Sequence, residues 1–479
     1  MNLHLETAAP ETPAGFLKGD RSTRTFDRFT DPEAMREIFQ ARLPGFPGGN
    51  LVATRCDILF TRYKTFVRPE SRHNSSIALC YELVVGDRAG HLLGSQLFYA
   101  KAFVDGRSAQ DYSAAPGYRL VAPRFGDPLM HWADLDMVLW AFPNDPALPH
   151  LAGVMNAKGV RPFLPDGSLA PGNAGVYDRA DVAVEVIHYY PEERCTARYS
   201  LGSRHAAPQA RSLIGKTYHD DKGREVYRCM QQLWELAQRL GDFTVAEPLG
   251  YNEAIKTVWQ KNMVGLPVRQ VMTAANGAEW LARIAKGLAS LHRDVPANVA
   301  CVECSDPAGD LPSKVEKLGD AFPDFHTALR ALQQRLERRA PERHALRQTF
   351  IHGDFHLRQL LADEDRVVFL DFDECASGDP LQDLASFLVD LHFYDFEPAQ
   401  VTTLGAAFLQ AYMDASCLEV RRADLAWHIR LQWFTKAYRA YRQHLPDRQA
   451  RVRELLALAW RDGRLAELLP VRSRRSARL

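Results

Sequence analysis

The sequence predicts an α+β protein with a strand-rich N-terminal half and a helical C-terminal half. Short runs of alternating or continuous apolar residues, such as 77–85 and 182–190, recur through the first half and are typical of antiparallel strands. The segments 278–292 and 401–469 have apolar residues at helical spacing instead. A polar turn at 351–373 is set between two short apolar runs, which suggests that the helical half also carries a functional loop.

Length and composition narrow the function classes. The chain has 479 residues, enough for about three domains. Lys and Arg together number 59, as do Asp and Glu, so net charge provides no drive toward nucleic acid or anionic membranes. No run of 18 apolar residues occurs, and the first residues lack the charged and apolar regions of a signal peptide. We therefore expect a cytoplasmic protein that binds neither nucleic acid nor membrane; its oligomeric state is not predicted.

The residues with the clearest chemistry lie in 351–360, Ile-His-Gly-Asp-Phe-His-Leu-Arg-Gln-Leu, and in the apolar run that follows. Phosphoryl transfer requires a carboxylate that orients and deprotonates a hydroxyl, and oxygen ligands that hold Mg²⁺ against the phosphates of ATP. Asp354, Gln359 and Asp371 supply these groups. Gln359 follows Asp354 by five residues, which is the spacing between the catalytic Asp and the metal-binding amide of kinase loops.

This motif resembles that of the aminoglycoside phosphotransferase and choline kinase group within the protein-kinase-like superfamily. His352-Gly353-Asp354, Asp371 and the downstream segment 378–385, Gly-Asp-Pro-Leu-Gln-Asp-Leu-Ala, match the family pattern. Gln359 stands where the family usually has Asn, and this variant looks like the maltokinase-like and glucosamine-kinase-like sugar kinases. A set of residues that only cap loops is the structural alternative.

The resemblance implies a two-lobed protein-kinase-like fold, ATP and Mg²⁺ as cofactors, and a small hydroxyl-bearing substrate as partner. It implies that His352 and Asp354 are catalytic, with Asp354 as the base, and that Gln359 and Asp371 bind the metal. Gln carries the same amide oxygen as Asn on one more methylene, so metal ligation requires only a small backbone shift.

The residues before the catalytic loop follow the order of a kinase N-lobe. Strands are expected at 182–190, 195–201 and 212–218, with Lys216 in the third, and an amphipathic helix follows from 226 to 240. In the family such a lysine binds ATP phosphates and is held by a helix carboxylate. Glu225 is the first candidate for that carboxylate and Glu235 the second. A solvated strand lysine is the alternative for Lys216.

A strand at 255–263 leads to a segment that resembles the family's hinge. There Met263 and Gly265 are expected to present backbone groups to the adenine edge, although Gly and Pro are equally common in any turn between a strand and a helix.

An additional strand-rich region precedes the N-lobe. It repeats a strand, a Pro-Glu turn, a second strand and a lysine strand, so we interpret Lys101 as the counterpart of Lys216 in an internal duplication; chance similarity of two β-meanders is the alternative. The predicted divisions are an extension at 1–50, a β-rich cap at 51–165, the N-lobe at 166–266 and the helical C-lobe at 267–479. A Pro- and Gly-rich stretch at 163–178 is the expected linker.

The acceptor is not identified by the motif. Carboxylates and aromatic residues follow Asp371, and such a surface suits sugars, amino sugars or aminoglycosides. Asp373 and Glu374 are the residues closest to the motif and are therefore the candidates for substrate contact. A catalytically silent, nucleotide-binding regulatory module is the alternative function, but a decayed site would usually have lost one of Asp354, Gln359 and Asp371.

Overall fold

The computed structural model describes most of the chain between residues 26 and 461. The gaps within that range are residues 66–74, 115–119, 166–181, 202–211, 274, 296–304, 342–347, 395, 417, 419 and 446. The first half of the predicted N-terminal extension and most of the predicted linker lie outside the described residues.

Antiparallel sheets dominate the N-terminal half. The strands of the first sheet pair in the order β1-β2-β3-β5-β4, and they are β1 (Leu51–Lys64), β2 (Ser76–Asp87), β3 (Leu92–Phe103), β4 (Leu129–Trp132) and β5 (Met137–Ala141). The second sheet pairs in the order β6-β7-β8-β11-β10. The strands from β6 onward are β6 (Val182–Tyr190), β7 (Arg194–Leu201), β8 (Ser212–Tyr218), β9 (Thr244–Val245), β10 (Pro248–Asn252) and β11 (Thr257–Lys261).

The two five-stranded sheets have equivalent topology. When the strands of each sheet are numbered along the chain, both sheets follow the order first, second, third, fifth, fourth. Lys101 and Lys216 each lie on the third strand and face a valine of the fifth, Val138 and Val258 respectively. The interpretation of Lys101 as the counterpart of Lys216 therefore agrees with strand order and register.

Helices make up most of the C-terminal half, while three short ones accompany the first sheet. The latter are α1 (Pro32–Arg42), α2 (Ser108–Ser113) and α3 (Leu151–Val154). The others are α4 (Lys222–Leu240), α5 (Val268–Val271), α6 (Gly277–Asp294), α7 (Leu311–Ala321), α8 (His326–Arg338), α9 (Leu381–Asp390), α10 (Pro398–Ser416), α11 (Arg422–Gln443) and α12 (Arg448–Trp460). The predicted α+β class, strand-rich and then helical, is confirmed.

Two small sheets contain the strands next to the polar motif at 351–373. One has the order β12-β14-β15-β9 and the other pairs β13 with β16. Their new strands are β12 (Leu266–Pro267), β13 (Thr349–Ile351), β14 (Leu360–Asp363), β15 (Arg366–Phe369) and β16 (Ala376–Gly378). Helix α6 supports β13 and β15 from below, because its buried Leu281, Ile284, Leu288 and Leu291 recur at helical spacing.

Two hydrophobic cores tie these parts together. In the first, the two large sheets pack face to face: Tyr99 stacks on Trp140 in the first sheet, and Tyr199 meets Trp259 edge-on in the second, with ring centroids 4.9 Å apart in each pair. The opposite face of the first sheet belongs to the second core, which continues into the helical half. Strand β1 contacts α11 there, and the rings of Tyr63 and Tyr441 lie 5.6 Å apart.

No helix of the described residues has the length and apolar character needed to cross a bilayer.

A buried carboxylate also joins the two large sheets. Asp145 follows β5 and is fully buried. Its oxygens accept hydrogen bonds from the hydroxyl of Tyr189 on β6 at 2.6 Å, from the amide of Glu192 at 3.0 Å and from the amide of Ala147 at 2.8 Å. Burial raises the pKa of Asp145, although these donors oppose that effect. The side chain thus fixes the β6–β7 turn against the first sheet.

Replacing Asp145 should destabilise the protein strongly. Asp145→Ala leaves the buried Tyr189 hydroxyl and the Glu192 amide without their acceptor, and each buried unsatisfied group costs about 1–3 kcal/mol. We expect the thermal unfolding midpoint to fall by several degrees, measured by circular dichroism. The control is Asp127→Ala, since Asp127 is exposed on a nearby loop and should change stability by less than about 0.5 kcal/mol. Equal midpoints for both variants would show that Asp145 does not link the sheets energetically.

Candidate active site

The catalytic loop is held from behind by a buried carboxylate. Asp383 of α9 accepts hydrogen bonds from the amides of His352 at 2.7 Å and Gly353 at 2.9 Å. The same carboxylate meets Nε2 of His292 at 3.0 Å, and Nδ1 of that ring lies 2.7 Å from the hydroxyl of Tyr412. Asp383, His292, Tyr412 and His352 are buried, so the network holds the loop backbone from inside the protein.

Glycine is required at the centre of the motif. Gly353 has φ of +82°, a conformation that L side chains rarely adopt. A Cβ at this position would also overlap the carbonyl oxygen of Glu374 on the neighbouring segment. The close approach brings the loop against the chain that follows Asp371.

His352 is a buried ring that supports this arrangement. Its side chain is fully buried, its Nε2–H donates to the carbonyl of Leu370 at 2.9 Å, and its ring packs on Phe372 with centroids 4.7 Å apart. This burial favours a positioning role for His352 over the predicted catalytic role.

Asp354 is the loop carboxylate that remains accessible, with 26% of its side chain exposed. One oxygen lies 3.4 Å from Nε2 of His356 and the other 3.7 Å from the guanidinium of Arg439 on α11. Burial acts to raise the pKa of Asp354, but His356, Arg439 and His352 together hold it well below its usual range. The group is thus ionised at neutral pH and can accept a proton or a hydrogen bond.

Asp371 lies between Lys216 of β8 and Gln359 of the catalytic loop. Its backbone is left-handed, with φ of 61°, which is uncommon for a residue other than glycine. One carboxylate oxygen is 2.7 Å from Nζ of Lys216, and the other is 3.4 Å from Nε2 of Gln359. Burial opposes ionisation, but the Lys216 ammonium lowers the pKa of Asp371 to about 2.

Lys216 bridges two carboxylates and does not pair with the following helix. Its Nζ lies 2.7 Å from both Asp371 and Asp373, and these attractions raise the pKa of the lysine despite burial. Glu225 and Glu235 are both exposed on α4, and no ion pair with Lys216 is found for either among the described residues. The predicted Lys216–Glu225 pair is therefore not formed.

The rotation of α4 explains this difference. The helix turns Val226, Met230 and Leu233 inward, as their burial requires, and this places Glu225 on the solvent side. Cys229 is the inward residue nearest the site, with its Sγ 3.5 Å from Sγ of Cys375. A pair between the strand lysine and a carboxylate of the next helix occurs instead in the first sheet, where Nζ of Lys101 is 3.3 Å from Asp111 on α2.

The two candidate acceptor-binding residues occupy different surroundings. Asp373 is almost completely buried and accepts a hydrogen bond from the Tyr218 hydroxyl at 2.8 Å, with Arg194 3.5 Å away. Lys216, Arg194 and Tyr218 enclose Asp373, which disfavours the predicted substrate contact. Glu374 is 57% exposed and lies 3.2 Å from Lys222.

The turn between β6 and β7 covers the site without glycine. Glu192 at its tip lies 3.1 Å from Nζ of Lys101 and 3.3 Å from Arg62, so the first sheet fixes the turn. Arg194, at the start of β7, brings a guanidinium to Asp373. Sequence reasoning missed Arg194, and its only signal was its position directly after the turn.

The predicted hinge lies between β11 and β12. Met263 packs against the small core under α4, and Gly265 approaches β14 so closely that a Cβ would lie 2.8 Å from the carbonyl of Ala362. The backbone groups of Met263 and Gly265 remain the predicted contacts for a ligand edge.

The donors near Asp371 fit a hard divalent cation. Mg²⁺ prefers one or two carboxylates, with further oxygens from amides, water and phosphates. Asp371, Asp373 and Gln359 provide such oxygens once the Gln359 amide turns its oxygen inward, and amide orientation is interchangeable in this way. Within the described ranges no group of three His, Cys, Asp or Glu forms a complete protein cage. A metal held by Asp371, Asp373 and Gln359 would keep further coordination positions for ligands from outside the protein.

Comparison with known proteins is consistent with this chemistry. The model of the phosphotransferase enzyme family (APH) matches residues 204–425. No curated protein sequence matches the chain.

Several solved structures resemble the protein at low identity. A putative aminoglycoside phosphotransferase from Ralstonia eutropha JMP134 is 15% identical, with a TM-score of 0.46 over 66% of this chain and 98% of that one. Choline kinase from Cryptosporidium parvum Iowa II is 12% identical, with a TM-score of 0.41 over 58% and 88%. Macrolide 2'-phosphotransferase from Brachybacterium faecium is 17% identical, with a TM-score of 0.38 over 59% and 93%.

The family match includes Lys216, the catalytic loop and Asp371, the residues on which the resemblance was based. The predicted family is thus confirmed over this part of the chain. Over residues 204–425 the chain is similar to the phosphotransferase enzyme family.

Proposed function

We propose that the protein is an ATP-dependent small-molecule kinase that transfers the γ-phosphate to a hydroxyl of a sugar, an amino sugar or an aminoglycoside-like acceptor. The observation that carries the proposal is the meeting of Lys216, Gln359 and Asp371 within 3.4 Å contacts, beside the loop that presents Asp354. Phosphoryl transfer depends on positioning and charge stabilisation, and these residues provide both. We further propose a cytoplasmic location and no binding to nucleic acid or membranes.

Each residue has a role that follows from its surroundings. Asp354 orients the acceptor hydroxyl and accepts its proton, because it is ionised and accessible. Lys216 and Arg194 face the phosphates with fixed positive charge. Asp371 and Gln359, with Asp373 beside them, hold Mg²⁺, which supplies charge neutralisation to the phosphates when it is bound. Met263 and Gly265 present backbone groups to the adenine edge.

The contacts of Lys216 change when nucleotide binds. Without ligand, the ammonium neutralises Asp371 and Asp373. With nucleotide bound, Asp371 and Asp373 would be compensated by a divalent cation and Lys216 by phosphates, so the buried charges would remain balanced. A protein that only binds nucleotide would use the same three residues, Lys216, Asp371 and Asp373. A nucleotide-binding module without catalysis is therefore the alternative that must be tested.

The chemical role of Asp354 can be tested against that alternative. Asp354→Asn should lower turnover by about two to four orders of magnitude, the usual scale of general-base catalysis, while ATP affinity stays nearly unchanged. The measurement is coupled ADP release across a panel of hydroxyl acceptors, with ATP binding determined by calorimetry. Turnover of the variant at the wild-type rate would exclude Asp354 as the base. ATP binding by the wild-type protein with no transfer to any acceptor would favour the silent module.

The metal site predicts unequal effects of two substitutions. Asp371→Ala should abolish Mg-ATP turnover, because it removes the charged oxygen ligand and leaves Lys216 with one carboxylate fewer. Gln359→Asn should retain a measurable fraction of activity, since the amide oxygen is kept. Activities are compared over a Mg²⁺ titration, and circular dichroism checks the fold. If Gln359→Asn is folded yet as inactive as Asp371→Ala, the amide does not act through its oxygen alone.

The two strand lysines provide a matched pair of variants. Lys216→Met should weaken binding of a non-hydrolysable ATP analogue strongly, because a desolvated contact to phosphate contributes on the order of a few kcal/mol. Lys101→Met should change nucleotide affinity little, since Lys101 faces Glu192 and Asp111. Fluorescence or calorimetric titration of both variants decides this. Loss of nucleotide binding in the Lys101 variant alone would assign the phosphate contact to the first sheet.

A further inference from the structure

Basic side chains of α11 and of the catalytic loop lie near Asp354. Arg439 on α11 lies 3.7 Å from the Asp354 carboxylate, and Lys436 precedes it by one helical turn. Arg358 belongs to the catalytic loop itself. These three cations come from two elements that the fold brings together at the acceptor side of the base.

The nearby carboxylates do not balance this charge at the surface. Asp390 is buried, accepts a hydrogen bond from the Tyr394 hydroxyl at 2.9 Å, and lies 3.6 Å from Lys436 and 3.9 Å from Arg358. Its negative charge is thus taken up inside the protein. In contrast, the side chains of Arg439 and Arg358 are 56% and 64% exposed. The charges that an approaching acceptor meets beside Asp354 are therefore mainly positive.

The electrostatic surroundings of Lys436 support this description. Burial lowers its pKa, Arg439 and Arg358 lower it further, and Asp390 and Asp354 oppose them. The three basic groups are therefore close enough to repel one another, and a ligand of negative charge would relieve that repulsion.

We infer that the acceptor carries an anionic group, a carboxylate or a phosphate, that binds to Arg439 while its hydroxyl reaches Asp354. The inference rests on the proposed function and specifies its substrate class. A guanidinium recognises either anion through paired hydrogen bonds, whereas a cationic acceptor would place like charge beside Arg439. Arg439 thus determines specificity in this site.

The same contact links recognition to the base. In the ligand-free protein Arg439 shares the Asp354 carboxylate with His356. An anionic acceptor gives Arg439 a partner of its own, and the Asp354 oxygen beside it becomes available to the acceptor hydroxyl. A neutral acceptor supplies no such replacement, so Arg439 continues to compete for the base.

A panel of charge-matched acceptors tests the inference. Each scaffold is offered in neutral, amino, carboxylate and phosphate forms, for example glucose, glucosamine, glucuronate and glucose 6-phosphate, together with equivalent cyclitols and short polyols. ADP release is measured, and mass spectrometry identifies the phosphorylated product. We expect kcat/KM for an anionic form to exceed that of its neutral form at least tenfold, and the amino form to be the poorest. Comparison of kcat/KM between the carboxylate and phosphate forms shows which anion the site prefers.

The possible results separate the inference from the proposed function. Transfer that favours neutral or amino forms overturns the inference and leaves the kinase assignment intact. Absence of transfer to every acceptor, with ATP still bound, overturns the proposed function and the inference with it.

Variants of Arg439 distinguish substrate recognition from positioning of Asp354. Arg439→Gln should lower kcat/KM for the anionic acceptor by about a hundredfold, mainly through KM, and should raise it for the neutral form, because Arg439 no longer competes for Asp354. Arg439→Lys should restore part of the loss, and Arg439→Glu should reverse the charge preference. Arg422→Gln, at the exposed first turn of the same helix, is the control and should behave as wild type. A uniform fall in kcat for all acceptors in Arg439→Gln would show that Arg439 only positions the base.

Discussion

The ion cluster formed by Lys216, Asp371 and Asp373 is the constraint on which the rest of the site depends. It joins the third strand of the second sheet to the segment after β15, across the boundary between the strand-rich and helical halves. Lys216 and Asp373 are largely buried and Asp371 is 30% exposed, and each buried charge is compensated within the cluster. The cluster therefore fixes the distance between the two halves at the place where a phosphate chain and a metal would bind, and Asp371 keeps its left-handed backbone within it.

A second layer of buried groups supports this cluster from the helical side. Asp383 ties the backbone of the catalytic loop to α9 and, through His292, to α6. Asp145 plays a comparable part on the other side, where it fixes the β6–β7 turn. In both cases a carboxylate satisfies backbone amides that would otherwise be buried without a partner. Fixed backbones on both sides of the proposed nucleotide site contrast with the exposed side chains of Arg439 and Arg358.

The sequence predicts the parts of the site that depend on local spacing. His352-Gly353-Asp354, Gln359 and Asp371 lie within 20 residues of one another, so a turn between two strands is enough to bring them together. The Lys216 strand was equally predictable from alternation. The predicted pairing of Glu225 with Lys216 was wrong because the rotation of α4 depends on which of its residues the neighbouring elements bury. Arg439 is 85 residues from Asp354, and only the packing of α11 against the catalytic loop creates their contact. The burial of Asp373 and His352 likewise depends on tertiary packing, which cannot be predicted from a sequence motif.

The shared strand order of the two large sheets has a consequence for how the chain folds. Sheets of the same topology within one chain can exchange strands during folding, and mispairing between similar neighbouring units is a known route to misfolded and swapped species. Here the central aromatic pairs differ between the sheets: Tyr99 and Trp140 stack flat, whereas Tyr199 and Trp259 meet edge-on over Gly215. A strand moved into the wrong sheet would meet rings of the wrong orientation. The different ring packing of the two sheets is therefore expected to disfavour mispairing between them, independently of any ligand.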